Sequence, residues 1–76
     1  MNDVICLLDV VALVDDMPEQ GLLRGQVGTV VEELAPKTFL VEFSDDLGKT
    51  YAMLPLRASQ LIVLHFEAVD LQLASV

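Results

Sequence analysis

Gly21-Leu22-Leu23-Arg24-Gly25-Gln26-Val27-Gly28-Thr29-Val30-Val31 is the stretch on which the reading of this chain turns. Its three glycines stand at intervals of four and three residues. Glycine is used where a Cβ would clash or where φ must be positive. Gly25 and Gly28 therefore bracket a tight bend into the β-branched run Thr29-Val30-Val31, with Gln26 and Val27 at the bend, one exposed and one buried. A phosphate-binding loop would carry a Lys-Ser/Thr pair and open a helix; this segment has no such pair and opens a strand. The residues thus read as the turn that begins a strand. A second reading makes the bare glycine backbone a docking edge.

Working outward, the same logic recurs on both sides. Thr38 to Ser44 alternates with a period of two: Phe39, Val41 and Phe43 on one face, Thr38, Leu40, Glu42 and Ser44 on the other. That is the pattern of a half-buried strand. Strands are also predicted over Val10–Val14, Gly28–Glu33, Thr50–Leu54 and Leu61–Phe66. A long polar loop, Asp15 to Gly21, follows the first. Ala35-Pro36-Lys37 links the second and third, and Ser44 to Lys49 forms a hairpin loop whose Gly48 supplies a positive φ. Pro55 is expected to stop the fourth strand, with a single helical turn over Leu56–Gln60 before the fifth. Five short strands, a long first loop and a helical turn before the last strand describe an all-β, SH3-like barrel, in which curling of the sheet covers exposed strand edges. The expected core is Val11, Leu13, Val27, Val30, Phe39, Val41, Phe43, Leu54 and Leu61.

The bulk numbers bound the rest. Seventy-six residues make one domain, with its core over about residues 8–66 and a tail over 67–76. A chain of this size buries only roughly 60% of its unfolded surface. The apolar fraction is 54%, above the ~45–50% of typical domains. The surplus implies a surface for a partner or for a second copy. Cys6 is the lone cysteine, so no disulfide forms within the chain, and a reducing, cytoplasmic setting is expected. Met1 to Leu8 has no basic residue ahead of its apolar stretch, unlike a secretory signal. No apolar run approaches the roughly 18 residues of a membrane span, so no membrane role is expected.

The net charge is −8, and no Lys or Arg precedes Arg24. Such a surface repels phosphate backbones and anionic lipids and attracts a basic protein. Asp15, Asp16 and Glu19 in the first loop, with Arg24 and Gln26 beyond it, are the candidate partner-binding residues. Val69, Leu71 and Leu73 alternate along the tail and join them; that tail fits a sixth strand pairing with another copy, a helix, or a disordered end. Catalytic and metal chemistry find no constellation. His65 stands without a motif-paired nucleophile and is expected to be a half-exposed strand residue. Cys6 is expected to pack as a buried apolar side chain. Neither Asp15/Asp16/Glu19 nor Asp45/Asp46 has the alternating spacing of a calcium loop, and zinc lacks a Cys/His set. No cofactor is expected. Without Trp and with one Tyr, the chain lacks the aromatic groove that proline-rich peptides need.

The run from Val10 to Asp16 followed by Gly21 to Leu34 resembles the KOW-type motif of SH3-like barrels. More specifically, Leu8 to Leu13, Gly21-Leu22, Gly25 to Val31, Val41-Glu42-Phe43, Gly48-Lys49-Thr50 and Gln60-Leu61 resemble, in order and with fitting gaps, a small uncharacterised bacterial family of unknown function, DUF4926. That resemblance implies no activity and no catalytic residues. Its members look like small companion proteins, which favours an antitoxin-like or immunity-like role. The KOW likeness implies nucleic-acid binding, but Arg24, Lys37, Lys49 and Arg57 are scattered and a stacking platform is missing. The expected function is therefore a non-catalytic protein-interaction module; the alternatives are a self-associating structural subunit and a KOW-like nucleic-acid binder.

Overall fold

A computed structural model describes residues 4–65. The expectations for the tail, including Val69, Leu71 and Leu73, lie outside the described residues. Five strands form one antiparallel sheet: β1 (Val10–Leu13), β2 (Val27–Ala35), β3 (Thr38–Ser44), β4 (Thr50–Arg57) and β5 (Leu61–Val63). Two 3-10 turns accompany them, η1 (Pro18–Gln20) in the first loop and η2 (Ala58–Gln60) before β5. The sheet order is β4-β3-β2-β1-β5. The chain meanders through four strands, then returns over η2 to the open side of β1; five strands with a short helical turn before the last are as expected from the sequence.

The sheet curls because β2 carries two irregularities, between Val30 and Glu32 and between Glu33 and Ala35. An extra residue on one strand bends it and increases its twist. The β3–β4 ladder continues one rung past Thr38↔Arg57, where the Ala58 N–H donates to the Lys37 carbonyl at 2.9 Å. Inward side chains from all five strands meet in one cluster, including Val11, Val30, Phe43, Leu56 and Leu61. Fully burying a side chain of this size contributes roughly 1.5–3 kcal/mol. The alternation of β3 is as expected: Phe39, Val41 and Phe43 are buried.

Several expectations are corrected. Val27 is not core but 46% exposed, because Gly28 and Val30 take the inward positions of β2. Gly28 holds its place by close packing. A Cβ there would lie 2.7 Å from Val41 Cγ1 and 2.8 Å from the Glu42 carbonyl oxygen. Leu54 is only half-buried and packs on the margin of the core, whereas Leu56 and Leu22 are buried within it. Pro55 does not stop β4, which runs on to Arg57 and shortens the helical turn to Ala58–Gln60. The reason is its ladder position. Since the Ala58 N–H bonds the Lys37 carbonyl, Thr38↔Arg57 and Leu40↔Pro55 are wide, non-bonded pairs. The Pro55 nitrogen thus faces away from β3, where a missing donor is tolerated on an edge strand. β1 ends at Leu13, β2 spans Val27–Ala35, and β5 ends at Val63.

The first described residues cross one opening of the curled sheet. Leu8 turns the chain with φ of 71°, a conformation costing a non-glycine residue roughly 1–2 kcal/mol. Its own N–H donates to the Val30 carbonyl at 2.7 Å, and Asp9 Oδ2 accepts the Cys6 N–H at 2.8 Å. The turn lays Ile5 against the core. Cys6 is left exposed, against the expectation of burial, because the same turn points it outward.

Candidate functional site

On β1, Val11 and Leu13 are buried inward, so Val10 and Ala12 point outward by the two-residue period. On β5 the same parity puts Ile62 and Leu64 outward, opposite the inward Leu61. The register joins them laterally: Ala12 lies between Val27 and Ile62, and the Leu64 N–H donates to the Val10 carbonyl at 2.9 Å. Ala12 is only 7% exposed yet does not belong to the core cluster; its larger neighbours Val27 and Ile62, each about half exposed, cover it. The outward side of β1 and β5 is therefore wholly apolar. Across the sheet the outward row reads Thr29, Glu42 and Met53, and the Thr50 hydroxyl donates to the Glu42 carboxylate.

The loop after β1 carries the acidic residues. Asp15, Asp16 and Glu19 are all exposed, Glu19 on η1. Leu22 anchors the loop, fully buried and bridged to Met17, whose N–H donates to the Leu22 carbonyl at 2.8 Å. Asp16 Oδ1 accepts the Arg24 N–H at 2.8 Å, and Gln26 Oε1 accepts the Leu23 N–H. Gln26 Nε2 also reaches across to the Tyr51 hydroxyl at 3.0 Å. The structure thus brings Asp16, Arg24 and Gln26 into one framework. Asp16 and Gln26 hold the loop's shape, while Asp15 and Glu19 stand at its surface. Leu22 and Tyr51 were not singled out from the sequence; the Leu22-Leu23 pair between two glycines was the available signal for an anchor.

An open groove of about 800 Å³, which shares Ile62 with the apolar face of β1 and β5, lies between β5, η2 and the β2–β3 hairpin. Ile5, Phe39, Leu61 and Val63 supply apolar wall, and Glu33 and Lys37 stand on it with opposite charge. Asp15, Asp16, Glu19, Arg24 and Gln26 do not line it. His65 is exposed and lies past the end of β5. Among the described residues no three His, Cys, Asp or Glu side chains are grouped so as to hold a metal ion. Among them, too, no helix is long and apolar enough to cross a membrane.

A small all-β SH3-like domain with an acid-flanked apolar face is the class these features define. The chain belongs to the DUF4926 family, a domain of unknown function whose model matches residues 7–63. No curated protein and no solved structure matches it.

Proposed function

We propose that this domain is a non-catalytic protein-interaction module: a small acidic companion of another protein in the bacterial cytoplasm, of the antitoxin-like or immunity-like kind. The observation that carries the reading is the outward face of β1 and β5, where Val10, Ala12, Val27, Ile62 and Leu64 form a continuous apolar patch next to the loop bearing Asp15, Asp16 and Glu19. Contiguous outward apolar surface on a small domain marks an interaction site. The acidic flank selects a basic partner and speeds its capture. The KOW likeness is carried by the fold alone in this reading. Lys49 and Arg57 stand at opposite ends of β4, about 26 Å apart along an extended strand, so these two cations do not form the track that a phosphate backbone requires.

Co-expression with the product of the neighbouring open reading frame, followed by gel filtration, tests the proposal. A stoichiometric complex is expected that Ile62→Glu weakens and that loosens as salt rises. Failure to recover any complex with the neighbouring product, or a complex indifferent to both changes, counts against it.

A further inference from the structure

The two edges of the sheet differ in how they meet solvent. β4 presents Pro55, whose nitrogen faces outward, so its edge lacks one donor and resists pairing. β5 is hydrogen-bonded to β1 on one side, and no further strand pairs with it among the described residues. Val14 N–H donates to the Gln60 carbonyl at 3.0 Å and Leu64 N–H to the Val10 carbonyl at 2.9 Å. Ala12↔Ile62 is therefore the bonded pair between them, and the backbone N–H and C=O of Val63, with the C=O of Leu61, point away from β1. The Leu61 N–H is already used, donating to the Ala58 carbonyl. The run Leu61-Ile62-Val63-Leu64 carries no proline, charge or bulge, which leaves the shortness of β5 as the device that limits pairing at this edge among the described residues.

We propose that the β5 edge takes a second copy of this chain, pairing antiparallel about a twofold axis at Val63. Each Val63 N–H then donates to the other copy's Val63 carbonyl, and each His65 N–H to the other copy's Leu61 carbonyl. A twofold contact requires a self-complementary surface. The groove beside β5 supplies opposite charges for such a contact, Glu33 and Lys37, and in the proposed pairing each faces its opposite on the second copy. The pairing also sets Ile62 of one copy beside Leu64 of the other, extending the apolar outward side across the junction. Both chains are strongly acidic, so salt should strengthen this contact by screening, the reverse of its effect on a basic partner.

The test is the mass in solution of the full chain, by light scattering on a sizing column over a concentration series at low and high salt. A dimer that tightens with salt is expected. Val63→Pro removes a donor that β1 does not use and should abolish the dimer. Lys37→Glu should weaken it roughly three- to tenfold, and the double exchange Glu33→Lys/Lys37→Glu should restore it. A chain that stays monomeric at both salts overturns the proposal, leaving the groove to a different protein. A dimer that survives Val63→Pro with an unchanged far-ultraviolet spectrum also overturns it. If Val63→Pro unfolds the domain, the charge pair decides: no loss with Lys37→Glu, or no rescue by the exchange, rejects the contact.

Discussion

The outward side of β3 and β4 and the outward side of β1 and β5 belong to one sheet and share one core, yet they are built for different surroundings. The first carries Glu42, Ser44 and Thr50 beside the apolar Leu40 and Met53, and closes its edge with an outward proline nitrogen. The second carries only Val10, Ala12, Ile62 and Leu64, and its short edge strand holds no proline among the described residues. A domain that needed only to fold could make both sides polar. Keeping one side apolar costs solubility in general, and a net charge of −8 acts in the opposite direction. The difference teaches that polar groups are left out of one outward side of the sheet, while exposed apolar side chains also stand elsewhere, at Leu7, Leu8, Leu23 and Leu47.

The comparison rests on the shared core, so the largest effect comes from breaking that. Phe43 is fully buried among residues of every strand. Phe43→Ala should cost about 3–5 kcal/mol, enough to leave so small a domain largely unfolded in thermal or urea denaturation. Gly28→Ala strikes the strand that joins the two halves. With Val41 Cγ1 and the Glu42 carbonyl both inside 3.0 Å of the new methyl, a loss of about 1–3 kcal/mol is expected; an unchanged urea midpoint would show that β2 and β3 can separate freely.

A paired substitution sharpens the contrast itself. Ile62→Glu and Met53→Glu place the same charge at positions 52% and 51% exposed. Both should leave stability within about 1 kcal/mol. Only Ile62→Glu should weaken partner binding, by on the order of tenfold or more, as read by titration calorimetry on the recovered complex. Equal effects would erase the distinction between the two sides. The smallest effects concern the loop framework. Asp16→Ala removes the acceptor of the Arg24 N–H and should cost about 1 kcal/mol, with Asp16→Asn recovering most of it. Tyr51→Phe, which removes the hydroxyl met by Gln26, should cost no more than about 1 kcal/mol.

Much of this was legible in the residues. The period-two run of β3 and the turn chemistry at Gly25 and Gly48, both with positive φ, placed the strands within a few residues. The errors have a common source. Val27 is expected inward as the buried partner of Gln26 at the bend, yet Gly28 takes the inward site, and periodicity cannot be counted through a residue with no side chain. Pro55 was read as a stop because local rules cannot tell an edge strand from a central one. Cys6 was placed inside on composition, while the left-handed turn at Leu8 sends it out. For the candidate site, the acidic loop was visible as a charge run. The apolar face was not, since Val10, Ala12, Val27 and Ile62 come from three separate segments that only register unites.

The sequence alone determined that this would be an acidic, strand-built domain, because glycine, proline and two-residue alternation act on the backbone locally. It likewise settled that apolar side chains outnumber what a core of this size can hide. Which of those side chains face water, and which strands form the edges of the described sheet, was decided only by the tertiary structure. Two bends in β2 and the pairing of β5 with β1 choose the faces, and both arise from contacts between residues distant along the chain.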